Sequence, residues 1–370
     1  MNDDTRSRSC STFPAWVTPV LLPLLLVMAP GCTDWSIDWA YVPGESASGS
    51  RGAGDSGLLR RSTPRAGHGL VEDGQGYLER GLVDAALASF AMAVAEDPRQ
   101  VPAHIGMGDI YRERGQYERA RTAYEHAVNH EPENYHAQYH LALMYHYLGQ
   151  VSRAVRGYLT ALTLEPDSFE ANRHLAAAYL QLGRTAEALP YARRATELDD
   201  RDQAAWAQYA EALRVLGRYQ EAHEAYLEAA ERGTLDPEIA LGHARAMIEL
   251  GMFEDAHRML QLLLEDQDTF ATRERMAYLK FRSGRFRRAL HHYDEAVEQI
   301  EQLPEAQRMA DPAYLRAING RGVSLMAMYI QGGREDDRLR RQALQAWRRS
   351  LQLNPDQPRI RDLLARYQQR

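Results

Sequence analysis

The sequence predicts an all-α stack of helical hairpins, and three observations carry that expectation. Small residues, aromatics, glycine and proline return every 34 residues; two apolar stretches with helical spacing flank each recurring glycine; and no run alternates polar with β-branched residues as a strand would. From Val101 to Asn134, Gly108, Tyr111, Gly115, Tyr117, Ala120, Tyr124, Ala127 and Pro132 stand at positions 8, 11, 15, 17, 20, 24, 27 and 32 of the unit. The next unit repeats them as Ala142, Tyr145, Gly149, Val151, Ala154, Tyr158, Ala161 and Pro166.

Each position has a physical reason. Small residues at 8 and 20 let the two helices of a pair approach closely, and the aromatics at 11, 17 and 24 fill the space beside them. Glycine at 15 suits the left-handed conformation that ends a helix, and proline at 32 stops the second helix.

Taken in order, the array begins near Gly67, where Gly74, Tyr77, Gly81, Ala86, Phe90, Ala93 and Pro98 fall in register. Units follow from Val101 and Tyr135, then from Phe169 with Ala176, Tyr179, Gly183, Ala188 and Ala195, and from Gln203 with Ala210, Gly217, Tyr219, Ala222, Tyr226 and Ala229. Weaker copies start at Pro237 and at about Phe270, which places seven units over residues 67–303. Residues 304–370 read as a degenerate eighth unit, in which an apolar segment from Pro312 to Ile330 is followed by a charged insertion at Gly332–Arg341 and then by Ala343, Trp347 and Ser350. A short closing helix is expected from Pro358 to Arg370. Pro190 falls inside a second helix and is expected to kink or shorten it.

This pattern resembles the tetratricopeptide repeat family. The resemblance implies a right-handed superhelix, an α-solenoid of about seven to eight helix-turn-helix repeats with a C-terminal capping helix. Such a stack is stable as a sum of local contacts, so 370 residues need not divide into globular domains.

Composition narrows the function. The formal charge is −7, yet residues 271–370 carry 20 basic and 12 acidic side chains. Those arginines are interleaved with carboxylates, which favours a solvated face over nucleic-acid binding. There is no phosphate-cradling loop ending in lysine, no HExxH, no GxSxG and no calcium loop, so no catalytic residue and no cofactor are assigned.

The front of the chain reads as an export signal. Arg6 and Arg8 precede the apolar run Trp16–Pro30, which is short and interrupted by Pro19 and Pro23, and Gly31-Cys32 follows at once. Ala29 and Gly31 before Cys32 resemble a bacterial lipoprotein cleavage box. That resemblance implies removal of residues 1–31, lipidation of Cys32, anchoring in a membrane and a place in the bacterial cell envelope facing the periplasm. Residues 32–66, rich in glycine and serine, read as a flexible tether. The two cysteines, Cys10 and Cys32, both precede the repeats, so no disulfide framework holds the fold.

In the family that the repeats resemble, first helices line a concave groove through positions 2, 5, 6, 9, 12 and 13. Carried onto this chain, that implies a partner-binding surface of Ile105, Asp109 and Arg112; His136, Tyr139, His140, Leu143, His146 and Tyr147; Arg173 and His174; and Gln208 and Glu211. Rings at its centre and polar groups around them suit a protein or peptide partner. Lysines that some relatives use to clamp a chaperone's carboxylate end are missing, since Val71, Ile105 and Tyr139 stand in their places. His136 and His140 are four apart with His174 one unit on, a spacing that raises metal binding. No acidic residue is fixed among them by spacing, and no metal is assigned. The expected function is a non-catalytic scaffold that helps assemble an envelope complex. A pilus-secretin piloting lipoprotein, an adaptor for polysaccharide export and a metal or small-ligand carrier are the alternatives.

Overall fold

The computed structural model describes residues 65–234 and 236–368. The export signal, Cys32 and residues 32–64 of the expected tether lie outside them. The described residues form helices joined by short turns, with no strand among them. They fall into two compact units, one ending at Leu164 and one beginning at Glu165.

The first unit holds three hairpins: α1 (Arg65–Glu79) with α2 (Val83–Glu96), α3 (Val101–Glu113) with α4 (Tyr117–His130), and α5 (Tyr135–Tyr147) with α6 (Val151–Leu164). Its core is the predicted one. Ala86, Ala93, Ala120, Ala127, Ala142, Ala154 and Ala161 are fully buried, with Phe90, Tyr124 and Tyr158 between them. Gly74 and Gly106 lie against the ring of Phe90, and Gly108 lies against the ring of Tyr124.

The second unit holds α7 (Phe169–Gln181) with α8 (Thr185–Leu198), α9 (Gln203–Val215) with α10 (Tyr219–Arg232), α11 (Pro237–Leu250) with α12 (Phe253–Asp266), and α13 (Phe270–Arg282) with α14 (Phe286–Glu301). The short α15 (Glu305–Ala310) leads into α16 (Pro312–Gln331), α17 (Asp337–Leu353) and α18 (Pro358–Gln368). First helices α7, α9, α11, α13 and α16 touch in sequence and make one wall. At the closing end Ile360 of α18 packs with Leu325, Ala343 and Trp347, covering an apolar face that would otherwise meet water.

Every hairpin from α1/α2 to α13/α14 turns on a glycine with positive φ, from 69° at Gly115 to 79° at Gly251. A side chain there would sit in the left-handed region that L-residues rarely enter. First helices are also capped from the preceding turn: the side chains of Asn134, Ser168 and Asp202 accept hydrogen bonds from the backbone N–H of Ala137, Ala171 and Ala205.

The helix bounds add two local details. Of the two effects expected of Pro190, shortening does not occur: α8 runs 14 residues from Thr185 to Leu198, with Ala188, Ala192 and Ala195 fully buried along it. Within the charged insertion 332–341, α17 begins at Asp337, where the Asp336 side chain caps it by accepting from the Arg338 N–H.

Candidate functional site

The expected surface is best described unit by unit. In the first unit it centres on α3 and α5, where positions 9 and 2 of successive hairpins come together. Asp109 on α3 receives the hydroxyl of Tyr124 from α4 at 2.7 Å on Oδ1, and Arg112 stands 3.7 Å from the same oxygen. The other carboxylate oxygen, Oδ2, lies 3.3 Å from Nε2 of His136 on α5. One turn further along, His140 stacks on Tyr124 with centroids 5.5 Å apart and meets His136 at 4.2 Å. One ligand-capable atom from each of Asp109, His136 and His140 lies within 4.8 Å of the other two.

The electrostatics follow from this packing. Burial pushes the His140 imidazole down to about 4, with His136 beside it acting in the same direction, so His140 is neutral at neutral pH. Burial would raise the Asp109 carboxyl, but hydrogen bonds from His136 and Tyr124 outweigh it and hold Asp109 below the usual carboxylate range. Burial and the Asp109 charge together raise the Tyr124 phenol, which therefore stays protonated as the donor.

The remaining expected residues divide. His136 is exposed, and Tyr147 is 47% exposed and stacked on Tyr117 at 4.8 Å, so both are open to a partner. Tyr139 and Leu143 are buried, a correction to their expected place on the open wall. Tyr139 turns its ring into a cluster with Tyr135, His140 and Tyr158. Ile105 packs against Val101, Ala127 and Ala137. His146 points its Nδ1 toward the Tyr158 hydroxyl at 3.4 Å.

In the second unit, the Arg173 guanidinium lies 3.4 Å from His174 Nε2. Gln208 is half-buried, and Glu211 is held by Arg214, whose Nε donates at 2.7 Å, and by the Tyr226 hydroxyl at 2.9 Å. Glu211 and Tyr226 occupy the same positions, 9 and 24, as Asp109 and Tyr124. The same tie between second and first helix therefore recurs.

Sequence reasoning missed a charged network further along this unit. Arg245 lies over the Tyr278 ring at 3.5 Å and pairs with Glu249 at 2.7 Å, while Glu249 also accepts from Tyr278 and Arg282. Next to it Glu274, 3% exposed, faces Arg316 at 3.5 Å. Burial would raise the Glu274 carboxyl, but Arg316, Arg275 and Arg245 hold it down. The signal was present: groove positions 9 and 13, carried onto the sixth and seventh units, fall on Arg245, Glu249, Tyr278 and Arg282.

The matching family models agree with the repeat architecture. Residues 83–233 match one family model and residues 213–280 another, both described as tetratricopeptide repeat. No curated protein matches the sequence. Among solved structures, PilF of Pseudomonas aeruginosa is similar at 20% identity and a TM-score of 0.47, over 55% of this chain and 92% of that one. A tetratricopeptide repeat protein of Parabacteroides merdae is similar at 18% identity and a TM-score of 0.48, over 69% of this chain and 99% of that one. YrrB, described as having an unusual peptide-binding site, is similar at 21% identity and a TM-score of 0.46, over 50% of this chain and 95% of that one.

Proposed function

Because residues 83–280 are tetratricopeptide repeats, we propose that this chain is a non-catalytic scaffold that grips a segment of a partner protein and helps assemble a complex of the bacterial cell envelope. Repeats of this kind bind proteins or peptides. The observation that carries the reading is the α3/α5 surface, where the open ring of His136 adjoins the charges of Asp109 and Arg112 and the open ring of Tyr147 stands at the other end of α5. Aromatic area supplies affinity, and flanking charges set the register of a bound segment. Anchoring through a lipidated Cys32 would place this surface at a membrane, facing the periplasm.

The test is capture of partners from envelope extracts with the full chain, compared with a chain in which His136, Tyr147 and Arg112 are changed to Ala. These side chains are open or half-open, so the fold should survive, and an envelope protein should be lost from the variant. A partner retained at full strength by the variant would refute the surface. Recovery of a pilus secretin or of polysaccharide-export machinery would choose between the two narrower versions of the function. Cys32→Ala should shift the chain from membrane to soluble fractions, and continued membrane association would refute the lipid anchor.

A further inference from the structure

We infer that Asp109, His136 and His140 form a binding site for a zinc-class divalent cation. The inference does not depend on the partner-binding reading. Two imidazoles and one carboxylate are the donor set that such ions take, with the remaining position left to water. Bonds of about 2.0–2.1 Å at tetrahedral angles put neighbouring donor atoms roughly 3.3–3.4 Å apart. His136 Nε2 and Asp109 Oδ2 already stand 3.3 Å apart, and the His140 donor lies within 4.8 Å of both, so a small turn of one ring completes the triangle.

The surroundings prepare these side chains. Tyr124 and Arg112 both address Oδ1 of Asp109, which fixes the carboxylate and leaves Oδ2 toward the imidazoles. An oriented ligand of this kind is what outer hydrogen bonds provide in metal sites. Nδ1 of His140 is buried with no hydrogen-bond partner, so the ring surrenders no bond there when it turns. The ion would replace the hydrogen bond between His136 and Asp109.

Other histidine clusters do not bring this set to one point. His104, His126 and His130 stack with centroids 5.1 and 6.3 Å from His104, but His104 Nε2 is engaged with the Pro98 carbonyl and no carboxylate joins them. His223 and His243 meet at 2.8 Å, with His243 also stacked on Tyr226, and among the described residues no third ligand is gathered beside them. At the station of Asp109 in the second unit, Glu211 is taken up by Arg214 and Tyr226, and positions 2 and 6 of the following hairpin are Glu238 and Gly242. His291 and His292 both face Glu295, at 3.4 and 3.2 Å, but on its two different oxygens; among the described residues, donor atoms of two imidazoles and a carboxylate converge within 4.8 Å of one another at α3/α5.

The experiment is calorimetric titration of the full chain with zinc chloride, repeated for His136→Ala, Asp109→Asn and, as a control, His126→Ala. One zinc per chain is expected, weakened at least tenfold in the first two variants and unchanged in the third. His136 is exposed, so His136→Ala loses only its hydrogen bond to Asp109 and its metal-free melting temperature should stay close to that of the parent. Cobalt(II) gives a second readout: the visible absorption of a low-coordinate site should appear in the parent and vanish in His136→Ala. No uptake of zinc, uptake unaffected by His136→Ala and Asp109→Asn, or an equal loss in His126→Ala would each overturn the assignment.

Discussion

Replacing Gly108 by alanine should destabilise the first unit, although alanine is the better helix former. A methyl group built on Gly108 would stand 2.7 Å from Cε1 of Tyr124 and within 2.9 Å of two more ring atoms. The ring has nowhere to go, because it is fully buried, stacked on His140 and tied to Asp109 at 2.7 Å through its hydroxyl. Overpacking of this kind costs about 1–3 kcal/mol. Drawing the hydroxyl off a charged acceptor adds about 1.5–3 kcal/mol. Gly→Ala in a helix interior returns about 1 kcal/mol, so the net loss should be about 1.5–5 kcal/mol. Gly76 supplies the internal control: it lies within α1, and its nearest neighbour to an added methyl is the flexible end of Arg80 at 4.0 Å. Gly76→Ala should therefore stabilise, by up to about 1 kcal/mol. Urea unfolding followed by far-ultraviolet circular dichroism measures both. If Gly108→Ala unfolds at or above the parent's midpoint, or moves in the same direction as Gly76→Ala, the contact with Tyr124 is not what requires glycine there.

Three further outcomes follow from buried groups. Ala154 is fully buried at the α5/α6 contact, so Ala154→Glu should lower stability by several kcal/mol, on the order of the penalty for an unpaired buried charge, and unchanged melting would argue against the repeat register. Glu274→Gln leaves Arg316, Arg275 and Arg245 without their shared anion and should cost about 3–5 kcal/mol; a loss below 1 kcal/mol in thermal unfolding would show that solvent already screens these arginines. His243, 1% exposed, is pushed down to about 4 by burial, with His223 adding to it. Its unfolded form takes up a proton near 6.5, so its contribution is complete above that pH and is lost as pH falls from 6.5 to about 4. The decline should flatten in His243→Gln when stability is followed by urea titration at successive pH values, and an identical pH profile for parent and variant would contradict the assignment.

Local regularities in the sequence translated directly into structure. Alanines at positions 8 and 20 are buried, and glycines at position 15 take positive φ, because both depend on contacts within one hairpin, which a 34-residue period repeats faithfully. The candidate site was harder to read. His136 and His140 share a helix and declared themselves by their spacing, whereas Asp109 reaches them from 27 residues earlier, across a helix–helix contact whose rotation no spacing encodes. Tyr139 and Leu143 occupy positions that the family presents to ligands, yet they are buried. For Tyr139 the cause is its aromatic neighbours, Tyr135 and Tyr158, which draw the ring inward. Arg245 and Glu249 stand at groove positions 9 and 13, and only the neighbouring helix, bringing Tyr278 and Arg282, encloses them.

The left-handed glycine that closes each hairpin has a consequence for how such a chain can change over generations. From Gly81 to Gly284 the bend is made at nearly the same dihedral, so a duplication or deletion with both breakpoints in these bends meets matching backbone on either side. Whole hairpins can then be gained, dropped or exchanged as cassettes while the joints stay sound. Novel recognition surfaces arise by recombination of finished parts, without waiting for a new corner to evolve.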